Sequence, residues 1–256
     1  MWVSITKCKK YFDLNRRDFI KTSIALAGSS NLPFITYSQL IDSQELLGLR
    51  KPLLVGSKHM LRKQAHLDFM RMKKEARKAG ILIQAVSSYR SFNRQKSIWN
   101  NKYNQLTNQG LSKEASIHRI LEYSTLPGTS RHHWGTEIDI VDATKPFPKE
   151  ILIQKNYETH GVYHSLKCWM NEHSQKYHWV LTYPNETKRT GFSYEPWHYS
   201  YQPLSKAYLS EFLKIDLFKF YLNRKDISGF EMLSSDLLTQ YIKTHVLGVN
   251  ELLLPD

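Results

Sequence analysis

Residues 130–139 read SRHHWGTEID. The segment places histidines and carboxylates on either side of a glycine, and its continuation, EIDIV, alternates polar with apolar residues as a β-strand does. A tight turn at Gly135 would let His132, before the turn, and Asp139, on the strand that follows, face the same point. The segment therefore predicts a loop-to-strand junction that carries a site.

A second stretch, EPWH at residues 195–198, supplies another histidine and another carboxylate. A catalytic zinc ion takes three protein ligands with nitrogen or oxygen donors and keeps a fourth position for water or substrate. His132, Asp139 and His198 form such a set if His198 arrives from a neighbouring strand of the sheet. Glu195 lies three residues before His198, which suits a general base that does not bind the metal.

The remainder of the body mixes helical and strand patterns. Apolar or small residues recur every three or four positions over residues 61–78 and end at a glycine, which predicts a helix. Residues 81–86 are short, apolar and partly β-branched, which predicts a buried strand that leads into SSYR at 87–90. We therefore expect an α+β catalytic domain at residues 39–201 with a C-terminal helical extension at residues 202–256.

Composition is that of a globular protein with a basic balance. The 256 residues are 41% hydrophobic and 23% charged, with a formal net charge of +13. Such a charge suits anionic surroundings, whether nucleic acid, phospholipid or the anionic polymers of a cell envelope. Because the sequence has no nucleic-acid-binding motif, we expect no nucleic-acid partner. We also expect a monomer with no membrane span in the mature body.

The first residues suggest export. Residues 15–21 read NRRDFIK and precede a short, mildly apolar run, which is similar to a twin-arginine signal. We expect residues 1–38 to be this signal and the protein to reach the periplasm or cell envelope by that route. A basic amphipathic helix on a cytosolic protein is the alternative. Residues 36–38 are the best small-residue cleavage site, and retention as an uncleaved anchor stays open.

The cysteines give little functional signal. The chain has two, Cys8 near the start and Cys168 in the body, so a protein without its signal would hold one thiol and no internal disulfide. Cys168 falls on an apolar helical stripe, which predicts a small buried residue.

Taken together, these stretches resemble the D-alanyl-D-alanine carboxypeptidase family of zinc peptidases, of the vancomycin-resistance type. This family is related in fold to D-Ala-D-Ala dipeptidases, lysostaphin-like endopeptidases and the hedgehog signalling domain. Its pattern Ser-x-His-x-x-Gly-x-x-x-Asp is matched at residues 130–139, and a second pattern by Glu195, Trp197 and His198. SSYRSFNRQ at residues 87–95 is similar to a third segment, which carries a substrate-binding arginine and glutamine.

The resemblance implies a small antiparallel sheet with flanking helices and a Zn²⁺ cofactor. It implies that His132, Asp139 and His198 bind this metal, and that Glu195 takes a proton from the attacking water and passes it to the leaving amine. The reaction would be hydrolysis of the C-terminal D-alanine from peptidoglycan stem peptides, with D,D- or L,D-specificity left open.

Three further residues are expected to meet the substrate. Arg90 would hold either the terminal carboxylate or the developing oxyanion, since its planar fork suits both. Gln95 and Ser130 are secondary binding candidates. An endopeptidase or dipeptidase of the same fold remains an alternative, as does a zinc-containing wall-binding module without catalysis. Retention of Glu195 speaks against the last, because a structural zinc site needs no base.

Two carboxylates near the site need an interpretation. Glu137 stands where the family often has a small residue or aspartate, so it would either point away from the metal or perturb the site, and we interpret it as tolerated. Asp142 is a nearby alternative ligand, but the motif spacing favours Asp139.

Overall fold

Four short strands form one antiparallel sheet in the computed structural model, which describes residues 41–255. The strands are β1 (Ile83–Ser87), β2 (Glu137–Asp142), β3 (Trp179–Leu181) and β4 (His198–Tyr201), arranged in the order β1-β2-β4-β3. The expected α+β class with a small antiparallel sheet is confirmed. The proposed export signal at residues 1–38 lies outside the described residues.

Eight α-helices surround the sheet within the described part of the chain. They are α1 (Ser43–Leu46), α2 (Lys63–Lys78), α3 (Phe92–Asn108), α4 (Lys113–Leu121), α5 (His164–His173), α6 (Gln202–Phe212), α7 (Leu217–Tyr221) and α8 (Ser235–Tyr241). A π-helix, Ile242–Val246, continues α8, and 3₁₀ turns occur at Arg131–Trp134, Gln154–Asn156, Ser174–Tyr177, Phe230–Met232 and Glu251–Leu253. Among residues 41–255, no helix has the length and apolar character needed to cross a membrane.

The register of the sheet aligns the two histidine-bearing segments. Asp139 of β2 pairs with His198 of β4, and Glu137 pairs with Ser200. Residues two apart on a strand share a face, so these four side chains lie on one face of the sheet. On the other side of β2, a register shift in β1 brings Ser87 opposite Asp139.

The turn before β2 depends on Gly135. This glycine ends the 3₁₀ turn Arg131–Trp134 with a left-handed φ of 71°, which favours glycine because it has no Cβ. A Cβ at this position would also come within 2.5 Å of Leu54 Cδ2. The turn reverses the chain between His132 and Asp139, as the sequence predicted.

The C-terminal helices share the hydrophobic core of the sheet. Trp134 contacts Tyr208 and Phe212 of α6, with ring centroids 6.3 and 6.0 Å apart. The hydroxyl of Tyr221 donates to the backbone carbonyl of Pro127, and that of Tyr241 lies 2.6 Å from Thr129 Oγ1. These buried bonds fix the loop that leads into the 130–139 segment, so the C-terminal helices support the site.

One burial prediction is wrong. Cys168 lies on α5 but is exposed, with its Sγ 3.4 Å from His164 Nε2. Leu166, Trp169 and Met170 form the buried side of this helix instead. The helix has an apolar face, as predicted, but Cys168 lies beyond the edge of that face.

Candidate active site

The centre of the site is a cluster of three buried side chains. His132, Asp139 and His198 each offer one ligand atom within 4.8 Å of the others. The three residues are 4–5% exposed, and the two imidazole ring centroids are 4.8 Å apart. The chain thus brings together the three residues that the sequence pattern selected.

His132 presents a neutral imidazole with its Nε2 toward Asp139. Its Nδ1 lies 2.6 Å from the backbone carbonyl of Ser88, and because a carbonyl only accepts, Nδ1 carries the proton. Its Nε2 is 3.4 Å from Asp139 Oδ2. Burial and the neighbouring Arg90 lower the pKa of His132 well below its usual value. A neutral ring with one free nitrogen is the form that binds a metal.

His198 faces carboxylates on both sides of its ring. Its Nδ1 is 2.9 Å from Glu195 Oε2 and 3.7 Å from Asp139 Oδ1, while its Nε2 is 3.0 Å from Glu137 Oε2. Burial lowers the pKa of His198, but the charge of Asp139 and the hydrogen bonds to the two glutamates outweigh it and raise this pKa to about 10. Nδ1 is the nitrogen that lies near Asp139, and a metal bound there would displace the proton that Nδ1 donates to Glu195.

The carboxylate of Asp139 shows whether a cation fits the cluster. Its Oδ1 is buried and has no hydrogen-bond partner among the described residues, although a buried polar atom normally has one. Burial raises the pKa of the Asp139 carboxyl to about 6. A divalent cation between this oxygen and the two imidazoles would satisfy the unpaired atom. The nitrogen and oxygen donor set fits zinc.

Asp142 is used elsewhere. Its Oδ1 accepts from the backbone N–H groups of Leu82 and Thr144, both at 3.0 Å, and from the Thr144 hydroxyl at 2.9 Å. These bonds fix the turn after β2. Asp142 is therefore outside the cluster, and Asp139 is the aspartate that joins the histidines.

Arg90 lines the same pocket as the cluster. Its Nη1 donates to Gln95 Oε1 at 2.8 Å and its Nη2 to Ser87 Oγ at 3.1 Å. Its backbone is also held, because its N–H donates to the His132 carbonyl at 3.1 Å and its carbonyl accepts from His133 Nδ1 at 2.6 Å. The guanidinium is thus oriented by its neighbours.

Gln95 and Ser130 occupy different positions. Gln95 is fully buried, and its Nε2 donates to the Thr125 carbonyl at 2.8 Å while its Oε1 accepts from Arg90. Gln95 is not on the pocket wall and orients Arg90 from behind. Ser130 is on the wall, beside His132.

The pocket has walls that sequence reasoning did not find. Its volume is about 640 Å³, and the additional wall residues include Ile98, Lys102, Tyr123, Leu152, Gln154, Tyr183 and Phe192. Ile98 and Lys102 lie on α3, four residues apart, so they share the helix face that follows Arg90. Their spacing in the sequence could have identified them as pocket residues. No local pattern could have identified the wall residues at 152–154 and 192, because long-range packing places these loops at the pocket.

Glu137 takes neither of the two positions considered from sequence. It lies on the same sheet face as Asp139, yet it contacts the far nitrogen of His198 and is not in the cluster. Burial would raise the pKa of Glu137, but the charge of Arg131 and the hydrogen bond from His198 hold it below its usual value. No role was predicted for Arg131, although it lies within the 130–139 segment.

Fold and pocket together define an α+β protein with a buried His-Asp-His cluster that fits a single divalent metal ion, with a glutamate and an arginine beside it. The chain belongs to the VanY family, described as D-alanyl-D-alanine carboxypeptidase, whose family model matches residues 58–204. This match covers more than half of the chain and includes every residue of the cluster.

Individual relatives agree with this membership. The chain is 32% identical over 145 residues to the putative carboxypeptidase YodJ of Bacillus subtilis, which covers 56% of this chain and 47% of the relative. It is 27% identical over 134 residues to a D-alanyl-D-alanine carboxypeptidase of Enterococcus faecalis, covering 52% and 44%. The chain therefore matches about half the length of these curated relatives.

Among solved structures, VanYB in complex with D-alanine-D-alanine is similar to this chain with a TM-score of 0.49 and 21% identity. The similarity covers 69% of this chain and 91% of that one.

Proposed function

We propose that this protein is a zinc-dependent carboxypeptidase that removes the C-terminal D-alanine from peptidoglycan stem peptides in the cell envelope. The observation that carries the proposal is the convergence of the His132, Asp139 and His198 cluster with Glu195 and Arg90 on one pocket. Membership of the VanY family supports the reaction, and the unpaired buried oxygen of Asp139 supports a metal.

The metal-binding cluster and Glu195 would have different roles in the reaction. A zinc ion bound by the cluster would polarise the scissile carbonyl and make a water acidic enough to lose a proton near neutral pH. Glu195 is half-buried, borders the pocket and is not part of the cluster. It would accept that proton and deliver it to the leaving amine.

Arg90 gives the pocket its preference for a free peptide end. A guanidinium has five N–H donors, and the bonds to Gln95 and Ser87 use two of them. The other three can serve a carboxylate, which prefers a bidentate contact with arginine. A peptide that ends in a free carboxylate is therefore the substrate that this pocket selects over an internal bond.

The test is incubation of the purified protein with defined muropeptides, with added zinc or with a chelator, followed by mass analysis. Loss of a single alanine only in the presence of zinc supports the proposal. Loss of a dipeptide or an internal cut would assign the site to a dipeptidase or an endopeptidase, and no change would indicate a wall-binding module.

A pair of variants separates the base from the metal site. Glu195→Gln should retain zinc and fold but lose activity on the order of 10²-fold or more, because it removes a general base and no ligand. Glu186→Gln is the matched control, since Glu186 is an exposed glutamate of the loop before Glu195 and should behave as wild type. Loss of zinc from Glu195→Gln would make Glu195 a ligand and refute its role as base.

A further inference from the structure

A buried carboxylate behind His198 has no role in the proposed reaction. Glu137 has no exposed surface, does not line the pocket and is not in the metal-competent cluster. Placing an ionised group in a protein interior is unfavourable unless partners compensate its charge. The partners of Glu137 therefore indicate what it does.

The Oε2 atom of Glu137 is bonded to a candidate metal ligand. It lies 3.0 Å from His198 Nε2, and since a carboxylate oxygen only accepts, Nε2 is the donor. Thr182 Oγ1 approaches the same oxygen at 3.4 Å. The ring of His198 is also packed edge-on against Tyr183, with ring centroids 5.0 Å apart. The carboxylate and the aromatic ring together restrict the rotation of the imidazole.

The Oε1 atom is held by hydroxyl groups. Ser200 Oγ donates to it at 2.5 Å, and Thr136 Oγ1 donates to it at 3.0 Å. Ser200 is the residue of β4 that pairs with Glu137 across the sheet. The strand register therefore fixes the position of the carboxylate, and the carboxylate in turn fixes the histidine two residues before Ser200.

A buried arginine balances the charge. Arg131 is 5% exposed, and its Nε lies 3.5 Å from Glu137 Oε1. Its Nη2 donates to Ser200 Oγ at 2.8 Å, and its guanidinium lies 4.7 Å from the ring centroid of Trp134. Arg131, Ser200 and Glu137 thus form one connected network that ends on His198.

We propose that Glu137 is a positioning residue, which keeps the proton of His198 on Nε2 and aims Nδ1 at the metal. This inference rests on the proposed metal site. A histidine ligand commonly donates its second N–H to a carboxylate, and removal of that partner typically weakens metal binding 10- to 100-fold. The network with Arg131 and Ser200 supplies such a partner from within the sheet.

The experiment compares zinc affinity in three variants, by competition with a chromophoric chelator. Glu137→Ala removes the carboxylate and should raise the zinc Kd roughly 10- to 100-fold. Glu137→Gln keeps the shape and one acceptor oxygen without the charge, and should raise the Kd about tenfold. Asp142→Asn is the control, because Asp142 is a buried carboxylate of the same strand that does not contact the cluster. It should lower the thermal stability and leave the zinc Kd unchanged.

A second readout reports on the ring itself. In zinc-loaded wild-type protein labelled with ¹⁵N-histidine, NMR should show His198 bound through Nδ1, with a proton on Nε2 that exchanges slowly with solvent. In Glu137→Ala or Glu137→Gln this proton should exchange at least several-fold faster, a change that Asp142→Asn should not produce. A His198 without a proton on Nε2 in the wild-type protein would overturn the inference.

The outcomes separate this inference from the proposed function. An unchanged zinc Kd in the folded Glu137 variants would overturn the positioning role and leave the metal site intact. A wild-type protein that binds no zinc would overturn both. If Glu137→Ala fails to fold, Glu137→Gln decides alone: a weaker zinc Kd with faster exchange supports the role, and wild-type values refute it.

Discussion

Recognition of a free peptide end can be tested by replacing Arg90 with lysine. Lysine keeps the positive charge but offers a single ammonium group, so it cannot form a bidentate contact with a carboxylate. It would also lose the planar fork that Gln95 and Ser87 orient from behind. The substitution therefore changes the geometry of the contact while leaving the sign of the charge in the pocket.

The size of the effect follows from the hydrogen bonds at stake. A bond to a charged group contributes about 1.5–3 kcal/mol, and Arg90→Lys would remove one of the two bonds proposed between Arg90 and the substrate carboxylate. The expected loss in kcat/KM is therefore roughly 10- to 100-fold, since about 1.4 kcal/mol corresponds to tenfold. Amidation of the substrate's C-terminus, which removes the carboxylate, should cause a comparable loss in the wild-type enzyme.

The assay is a two-by-two comparison of wild type and Arg90→Lys on free-acid and amidated stem peptides. If one contact underlies both losses, amidation should add little further loss in the variant, because interacting changes are not additive. Arg94→Lys serves as the control, since Arg94 is exposed in the first turn of α3 and should behave as wild type on both substrates. Equal hydrolysis of the acid and the amide by wild type would refute terminal-carboxylate recognition, and Arg90 would be reassigned to the oxyanion.

Two further predictions concern stability and export. Burial lowers the pKa of His133 to about 4, and its ring accepts from the Gly128 N–H at Nε2 while donating to Arg90. The unfolded chain, with a histidine pKa near 6.5, binds this proton more readily, so the contribution of His133 to the free energy of unfolding should fall by about 3 kcal/mol between pH 7 and pH 4. Urea denaturation should show a correspondingly smaller fall in His133→Gln, and an equal fall would refute the assignment. For export, Arg16→Lys combined with Arg17→Lys should retain the protein in the cytoplasm on cell fractionation; unchanged envelope delivery would exclude the twin-arginine route.

Local sequence patterns predicted the main elements and the central residues of the site. Alternation after Gly135 predicted the strand of Asp139, and a short apolar run predicted the strand that leads to Arg90. Both predictions hold because the directions of successive side chains on a strand, and the need for glycine at a left-handed φ, are properties of the local backbone. The turn at Gly135 placed His132 and Asp139 for the same reason, whereas His198 joins them through the pairing of β2 with β4.

The sequence did not reveal how neighbouring side chains serve that cluster. Gln95 was expected to meet the substrate, but it lies behind Arg90, and Glu137 was interpreted as tolerated although it bonds to the far side of His198. The first relation joins residues only five apart, but the Thr125 carbonyl, thirty residues further along the chain, holds Gln95 in that position; the second relation joins residues 61 apart. The helix that follows β1 sets the first, and the register between β2 and β4 sets the second.

The sequence by itself determined the chemistry available to this protein: two imidazoles, an aspartate, a glutamate three residues before the second imidazole, and an arginine at the end of a strand. Tertiary structure alone decided which nitrogen of each imidazole faces the cluster, since Ser88 and Glu137 occupy the other nitrogens. A ring nitrogen has no sequence signature. Its partner depends on strand register and on packing among elements far apart in the chain, and these become defined only when the core is assembled.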